Sequence, residues 1–158
     1  MSGSHQGEMG KQVTAEHNYE LLELVNALLI ASYQFLFLNS VSKNLTLAAT
    51  NWSARKNDEK CRDSAVMILG WLKENGGYIQ LADISQPRYE ESDLAAEFVL
   101  KRWDEVEKWV QSKIEKIKSK LEENYCRDKE EIIFMLNSVS ACLTSKKDNL
   151  LFYDYGCC

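Results

Sequence analysis

Apolar residues recur along this chain at gaps that alternate between three and four. Over residues 15–41 the seam is Leu21, Leu24, Leu28, Ala31, Phe35 and Leu38, the spacing that lines one face of a bundle helix. A short turn around residues 42–44 comes next. A second helix is expected over residues 45–75, with a late seam of Cys61, Ala65, Ile68 and Leu72 and a strongly polar middle between Arg55 and Arg62. A third is expected over residues 92–124, N-capped by Ser92 and carrying Val99, Trp103, Val106, Val110, Ile114, Ile117 and Leu121. A fourth starts near Asp128, carries Ile132, Leu136, Val139 and Leu143, and fades by Lys146; Leu150-Leu151-Phe152-Tyr153 is a short apolar tail beyond it.

Between the second and third helices the pattern breaks. Residues 76–87 hold two adjacent glycines, Gly76 and Gly77, and the only proline, Pro87. Glycine lowers helix propensity and proline removes a backbone donor, so no helix passes through here comfortably. The pair reads as a helix stop. The alternation in Tyr78-Ile79-Gln80-Leu81 is too brief for a strand, because nothing else offers a partner. The stretch reads as one ordered connection of roughly 15 residues, and a connection that long in a helical protein usually crosses from one end of a bundle to the other.

The run Gly76-Gly77-Tyr78-Ile79-Gln80-Leu81-Ala82-Asp83-Ile84-Ser85-Gln86-Pro87, followed by Ser92-Asp93-Leu94-Ala95-Ala96-Glu97, resembles the crossover loop and third-helix start of ferritin subunits. Upstream, residues 26–36 (Asn-Ala-Leu-Leu-Ile-Ala-Ser-Tyr-Gln-Phe-Leu) are similar to that family's first helix. The likeness spans Asn18 to Ser145. It implies an all-α, ferritin-like four-helix bundle with a long crossover between helices 2 and 3. The bundle would occupy residues 15–145, with a disordered arm at 1–14 and a short tail at 146–158.

The same resemblance places the di-iron ferroxidase ligands, which in that fold are inward carboxylates and a Glu-x-x-His pair. The first-helix glutamate position is Leu28. The Glu-x-x-His position is Cys61-Arg62-Asp63-Ser64, the third-helix glutamate falls at Trp103, and the fourth-helix position at about Val139. The tyrosine position of the first helix is Phe35. None of the expected ligands is present. The periodicity agrees independently, since Leu28, Cys61, Trp103 and Val139 lie on the apolar seams, where an iron pair would lack charge compensation. The expectation is a dry core, no ferroxidase activity and no enzyme.

Two acidic groups remain as metal candidates by resemblance. Light-type ferritin subunits seed mineral on acidic clusters of the second helix, and the comparable stretch here holds Asp58, Glu59 and Asp63. Arg55, Lys56, Lys60 and Arg62 are interleaved, so a solvated, charge-balanced face is the competing reading. The family also lines its threefold channels with an Asp and a Glu three apart early in the fourth helix, a spacing that Asp128 and Glu131 share. Acidic residues in a first helical turn are favoured by the macrodipole in any case. No tightly bound cofactor is expected; iron would be present as mineral or in transit. The implied partners are other ferritin-type subunits, in a homo- or hetero-oligomer.

Composition narrows the classes. The chain has 158 residues, 45% hydrophobic and 27% charged, an ordinary globular mix for one domain. A net charge of −5 argues against nucleic acid as a partner. The apolar runs read as too short to span a bilayer, and the polar residues 1–11 lack a signal peptide's apolar stretch, so the reading is cytoplasmic with no membrane partner. The only histidines are His5 and His17. Five cysteines form no CxxC; Cys61, Cys126 and Cys142 read as reduced, and Cys157-Cys158 as an exposed, oxidisable end. Two sequons, at Asn44 and Asn51, read as chance matches without a leader. No phosphate loop or nucleophile elbow is present.

Two function classes follow. One is a non-catalytic ferritin-type subunit, a structural or iron-storage component of a shell. The other is a diverged ferritin-fold interaction protein that neither binds iron nor forms a cage. The crossover motif favours the first; a short fourth helix and the absence of a full fifth favour the second. In either case Trp52, Trp71, Trp103 and Trp109 are expected to give the bundle bulky anchors.

Overall fold

Four amphipathic stretches become four helices in the computed structural model, which describes residues 13–88, 95–123 and 127–143: α1 (Ala15–Asn44), α2 (Ala48–Glu74), α3 (Ala96–Glu123) and α4 (Lys129–Leu143). The described residues contain no strand. The class is all-α. Every residue of the four expected seams is buried, which the alternating gaps of three and four dictate once the helices pack.

Local chemistry sets the boundaries. Thr14 caps α1 by accepting from the His17 N–H at 3.1 Å, and the Val13 N–H bonds the Asn75 carbonyl at 2.9 Å. The end of the expected arm is therefore fastened to the bundle. Helix α1 runs past the expected turn at 42–44 and stops at residues 45–47. There Thr46 takes a left-handed φ of 57°, its N–H bonds Lys43 O and the Leu47 N–H bonds Ser42 O, the paired bonds of a Schellman end. Helix α2 ends the same way, with Gly76 left-handed at φ 75° and the Gly77 N–H on Leu72 O at 2.7 Å. After it, the described residues 77–88 form a connection without helix or strand, and helix is described again from Ala96.

The packing order follows from the contacts. Helix α1 packs against α2 and α3, and α4 also packs against α2 and α3, so α1 faces α4, and α2 faces α3, across the two diagonals. Glu20 meets Lys120, while nearer the other end Gln34 meets Arg102 and Phe37 meets Phe98, so α3 runs antiparallel to α1 and parallel to α2. The Ser140–Gln111 and Trp71–Glu131 bonds set α4 antiparallel to both α3 and α2. A parallel α2 and α3 require the connection to travel the bundle's length. It does so along α1: Asn18 grips Tyr78 at one end, and the Arg88 carbonyl accepts from Arg102 at the other.

Three expectations change. Helix α1 is, by length and composition alone, apolar enough to cross a membrane, contrary to the reading that no run was long enough. Half of that window is buried in the bundle, and the apolarity extends to the outer face, where Tyr33 and Leu36 are exposed. Second, only Trp103 and Trp71 of the four tryptophans are buried anchors; Trp52 and Trp109 are exposed beneath Lys56 and Lys113 at 5.6 and 5.9 Å. Third, the polar middle of α2 is not wholly solvated, because Asn57 and Asp58 are buried within it. The Ser92 cap, Cys126, His5 and the tail at 146–158 lie outside the described residues.

Candidate functional site

The positions to which a di-iron centre was assigned by resemblance form one continuous interior. Leu28, Cys61 and Val139 are fully buried, Trp103 is 1% exposed and Ser64 6%. Phe35 stands edge-on to Trp103, ring centroids 5.2 Å apart. These side chains offer one thiol and one hydroxyl among hydrocarbon, a donor set that cannot balance two iron ions.

Near these positions one carboxylate of α2 is drawn inward. Asp58 lies between α1 and α2, 7% exposed, with one oxygen accepting from the Ser32 hydroxyl and the other from Arg62 at 2.9 Å. Both of its oxygens are therefore engaged. The pairing joins α1 to α2 and sets Asp58 apart from the more exposed Glu59 and Asp63 of the acidic stretch. A buried carboxylate is tolerated because each oxygen has a donor. Cys61, one turn on, has its thiol pushed up to about 12, first by burial and then by the Asp58 carboxylate, with Lys60 opposing.

A thiol in that state is a poor nucleophile. Iodoacetamide at about pH 8 is expected to label exposed Cys142 and leave Cys61 unmodified in the native protein, as read by peptide mapping. The shift also makes stability depend on pH. The unfolded chain loses this proton near 9.0 and the native chain near 12, so the contribution is intact below pH 9 and is lost as pH rises through that window. The slope is up to about 1.4 kcal/mol per pH unit. Urea unfolding across that range should show a steeper alkaline fall for the native sequence than for Cys61→Ala.

The remaining metal candidates are dispersed. Glu59 is half-exposed and paired with Arg55 at 3.7 Å and Lys56 at 3.6 Å, while Asp63 is exposed. Asp128 lies half-buried just ahead of α4. Glu131 is exposed at the start of α4 and accepts from the Trp71 indole at 2.9 Å. No group of three His, Cys, Asp or Glu side chains converges among the described residues.

Sequence reading missed a polar cluster at the base of the bundle. His17 Nδ1 sits 3.3 Å from Glu20 Oε1, and Lys120 Nζ sits 2.8 Å from Glu20 Oε2, with Glu20 itself buried. The hydrogen bond and charge of Glu20 hold the Lys120 ammonium above its ordinary range. His17 and Glu20 are three apart, a helix-face spacing that marks the local pair; only the fold brings in Lys120. Outside the core, residues 77–88 carry Tyr78, Ile79, Leu81 and Ile84 exposed. With Tyr19, Leu22, Glu23 and Asn26 of α1 the connection encloses a cleft of about 290 Å³.

Comparison with known proteins finds no matching family model and no matching curated protein.

Proposed function

We propose that this chain is a non-catalytic, ferritin-like subunit that acts by assembling, as a wall or iron-storage component of a shell, with other ferritin-type subunits supplying any oxidation chemistry. The observation that carries the reading is the route of residues 77–88 along α1, which sets α2 parallel to α3 on a diagonal. That arrangement is what the resemblance of the Gly76–Pro87 motif implies for the bundle. The interior supports the absence of catalysis, since Leu28, Cys61, Ser64, Trp103 and Val139 occupy the ligand positions. The outer face supports assembly. Tyr33 and Leu36 of α1, and Tyr78, Ile79, Leu81 and Ile84 of the connection, are exposed apolar residues of the kind that mark contact surfaces.

Iron, on this reading, is cargo rather than cofactor. The Glu59–Asp63 face of α2 and the Asp128–Glu131 pair before and within α4 are the places where it would rest or pass. Native mass tests the proposal, measured by sedimentation on the chain alone and after co-expression with a catalytic ferritin subunit. A cage-sized particle is expected in at least one preparation. The chain alone should oxidise Fe(II) no faster than buffer. A monomer or small oligomer in both preparations would sink the shell reading.

The second reading, a bundle that interacts with partners and leaves iron aside, is favoured by one observation. The outward side of α2 and α4 carries exposed Val66, Met67 and Phe134 among its carboxylates. Small-oligomer mass with a folded bundle would be its result.

A further inference from the structure

Helices α2 and α4 are separated on their outer side by a groove of about 380 Å³. Its walls are Val66, Met67 and Trp71 from α2 and Phe134 and Met135 from α4, with Glu74 and Glu131 at the end away from Leu143. Phe134 is the most exposed large apolar residue described, at 75%, and Val66 follows at 64%. Gly70 adds room, because a Cβ built there would meet nothing within 4 Å. Exposed apolar residues grouped like this mark a contact site.

The chain itself supplies one. After Leu143 come the polar residues 144–149 and then Leu150, Leu151, Phe152 and Tyr153. Phe134 lies nine residues before Leu143, about 13 Å back along the helix axis. The spacer 144–149 can span roughly 20 Å when extended, so residues 150–153 reach Phe134 with slack. Charge agrees with this direction of travel. Asp63 shares the face of Val66 and Met67 and lies about two turns above Trp71, at the rim nearer Leu143. The spacer carries Lys146 and Lys147, which would pass that rim first. We propose that residues 150–153 seat in the groove between α2 and α4 of their own chain, covering Phe134 and clasping α4 to α2.

The docking does not depend on shell formation, so its test separates from that of the assembly reading. In the full chain Phe152 is replaced by the photo-cross-linking residue p-benzoylphenylalanine, and the protein is irradiated under reducing conditions so that no thiol of the tail is trapped. Peptide mapping of the band at single-chain mass is expected to find the link on residues 66–74 or 131–138. In the same protein carrying Phe134→Glu the yield should fall about tenfold, as expected for losing one well-buried apolar contact. Phe134 is exposed enough that this change leaves the bundle folded, and circular dichroism of the variant checks that it does. Leu150→Asp, which leaves the bundle untouched, should lower the yield in the same way. Links to other surfaces, links between two chains, no link, or a yield indifferent to both substitutions would each overturn the proposal.

Discussion

Replacing Trp103 with alanine is expected to lower the unfolding free energy by about 3–5 kcal/mol, the range for emptying a large aromatic site. Trp103 is the largest fully buried side chain, 1% exposed, with Phe35 edge-on at 5.2 Å. Its indole N–H is held by Glu107 at 3.3 Å, one turn along α3. Removing the ring forfeits its burial, the edge-to-face contact, worth about 0.5–1.5 kcal/mol of the total, and a cavity term, because helices seated on several neighbours collapse only in part. For a domain whose whole stability is about 5–15 kcal/mol, a loss of that size is a large fraction. Trp109→Ala is the internal comparison. Trp109 is 36% exposed and lies beneath Lys113, so its removal opens no closed cavity and should cost clearly less than that of Trp103. Urea unfolding by far-ultraviolet circular dichroism measures both. Similar midpoints for the two variants would mean that Trp103 is not the packing centre described here.

The same residue bears on the iron question. Trp103→Glu places a carboxylate at the position where resemblance calls for a ligand, but its neighbours are the Phe35 ring and the apolar seams. An unpaired buried charge would unfold the bundle before it could recruit metal. The interior and a ferroxidase centre are thus alternatives, and this sequence has filled the space with hydrocarbon.

The helices and the core were legible because their information is local. A seam such as Val99, Trp103, Val106, Val110 needs only a 3.6-residue period to be read, and every such position is buried. The stop at Gly76-Gly77 was legible for a similar reason, since left-handed backbone after a helix selects glycine. The stop of α1 was not, because Thr46 takes the same left-handed conformation without being a residue that favours it. The surroundings of the candidate site residues were not legible where the deciding partner is distant in sequence. Asp58 looked like one acid in a charged run, and Ser32 on α1 draws it inward. Glu131 looked like a channel residue, and Trp71, on another helix, uses its carboxylate. The base cluster needed Lys120 placed against Glu20, a pairing that only the antiparallel α1–α3 contact provides. Apolar residues on the outer side of α1 were visible as letters but were assigned to no face, because periodicity separates an inside from an outside only when one of the two is polar.

Substituting Gly77 by alanine is expected to destabilise the protein by about 2–3 kcal/mol, near the upper end for overpacking. A Cβ at Gly77 would lie 2.3 Å from Asn18 Oδ1, 3.0 Å from Leu72 O and 3.2 Å from Leu72 Cδ2. Two of these neighbours cannot yield cheaply. Leu72 O holds the Gly77 N–H at 2.7 Å, the bond that closes α2. Asn18 is 1% exposed, takes the Tyr78 N–H at 2.9 Å and donates to the Tyr78 carbonyl at 3.2 Å, so it cannot move without releasing the start of the crossover. Gly76→Ala is the comparison: it meets the left-handed penalty at φ 75°, about 1–2 kcal/mol. Asn18→Ala alone strands two backbone groups, at about 1–3 kcal/mol. The decisive variant is the double one. Asn18→Ala removes the atom that the new Cβ strikes, so Gly77→Ala should cost about 1 kcal/mol less in its presence than in its absence. Hydrogen exchange over residues 77–88 should rise in each single variant, since the clamp on Tyr78 is the one point where the crossover is tied to the foot of α1 by paired hydrogen bonds. Strict additivity in the cycle would mean that the clash is relieved by backbone movement at Leu72 instead, and that the glycine serves the end of α2 rather than the clamp.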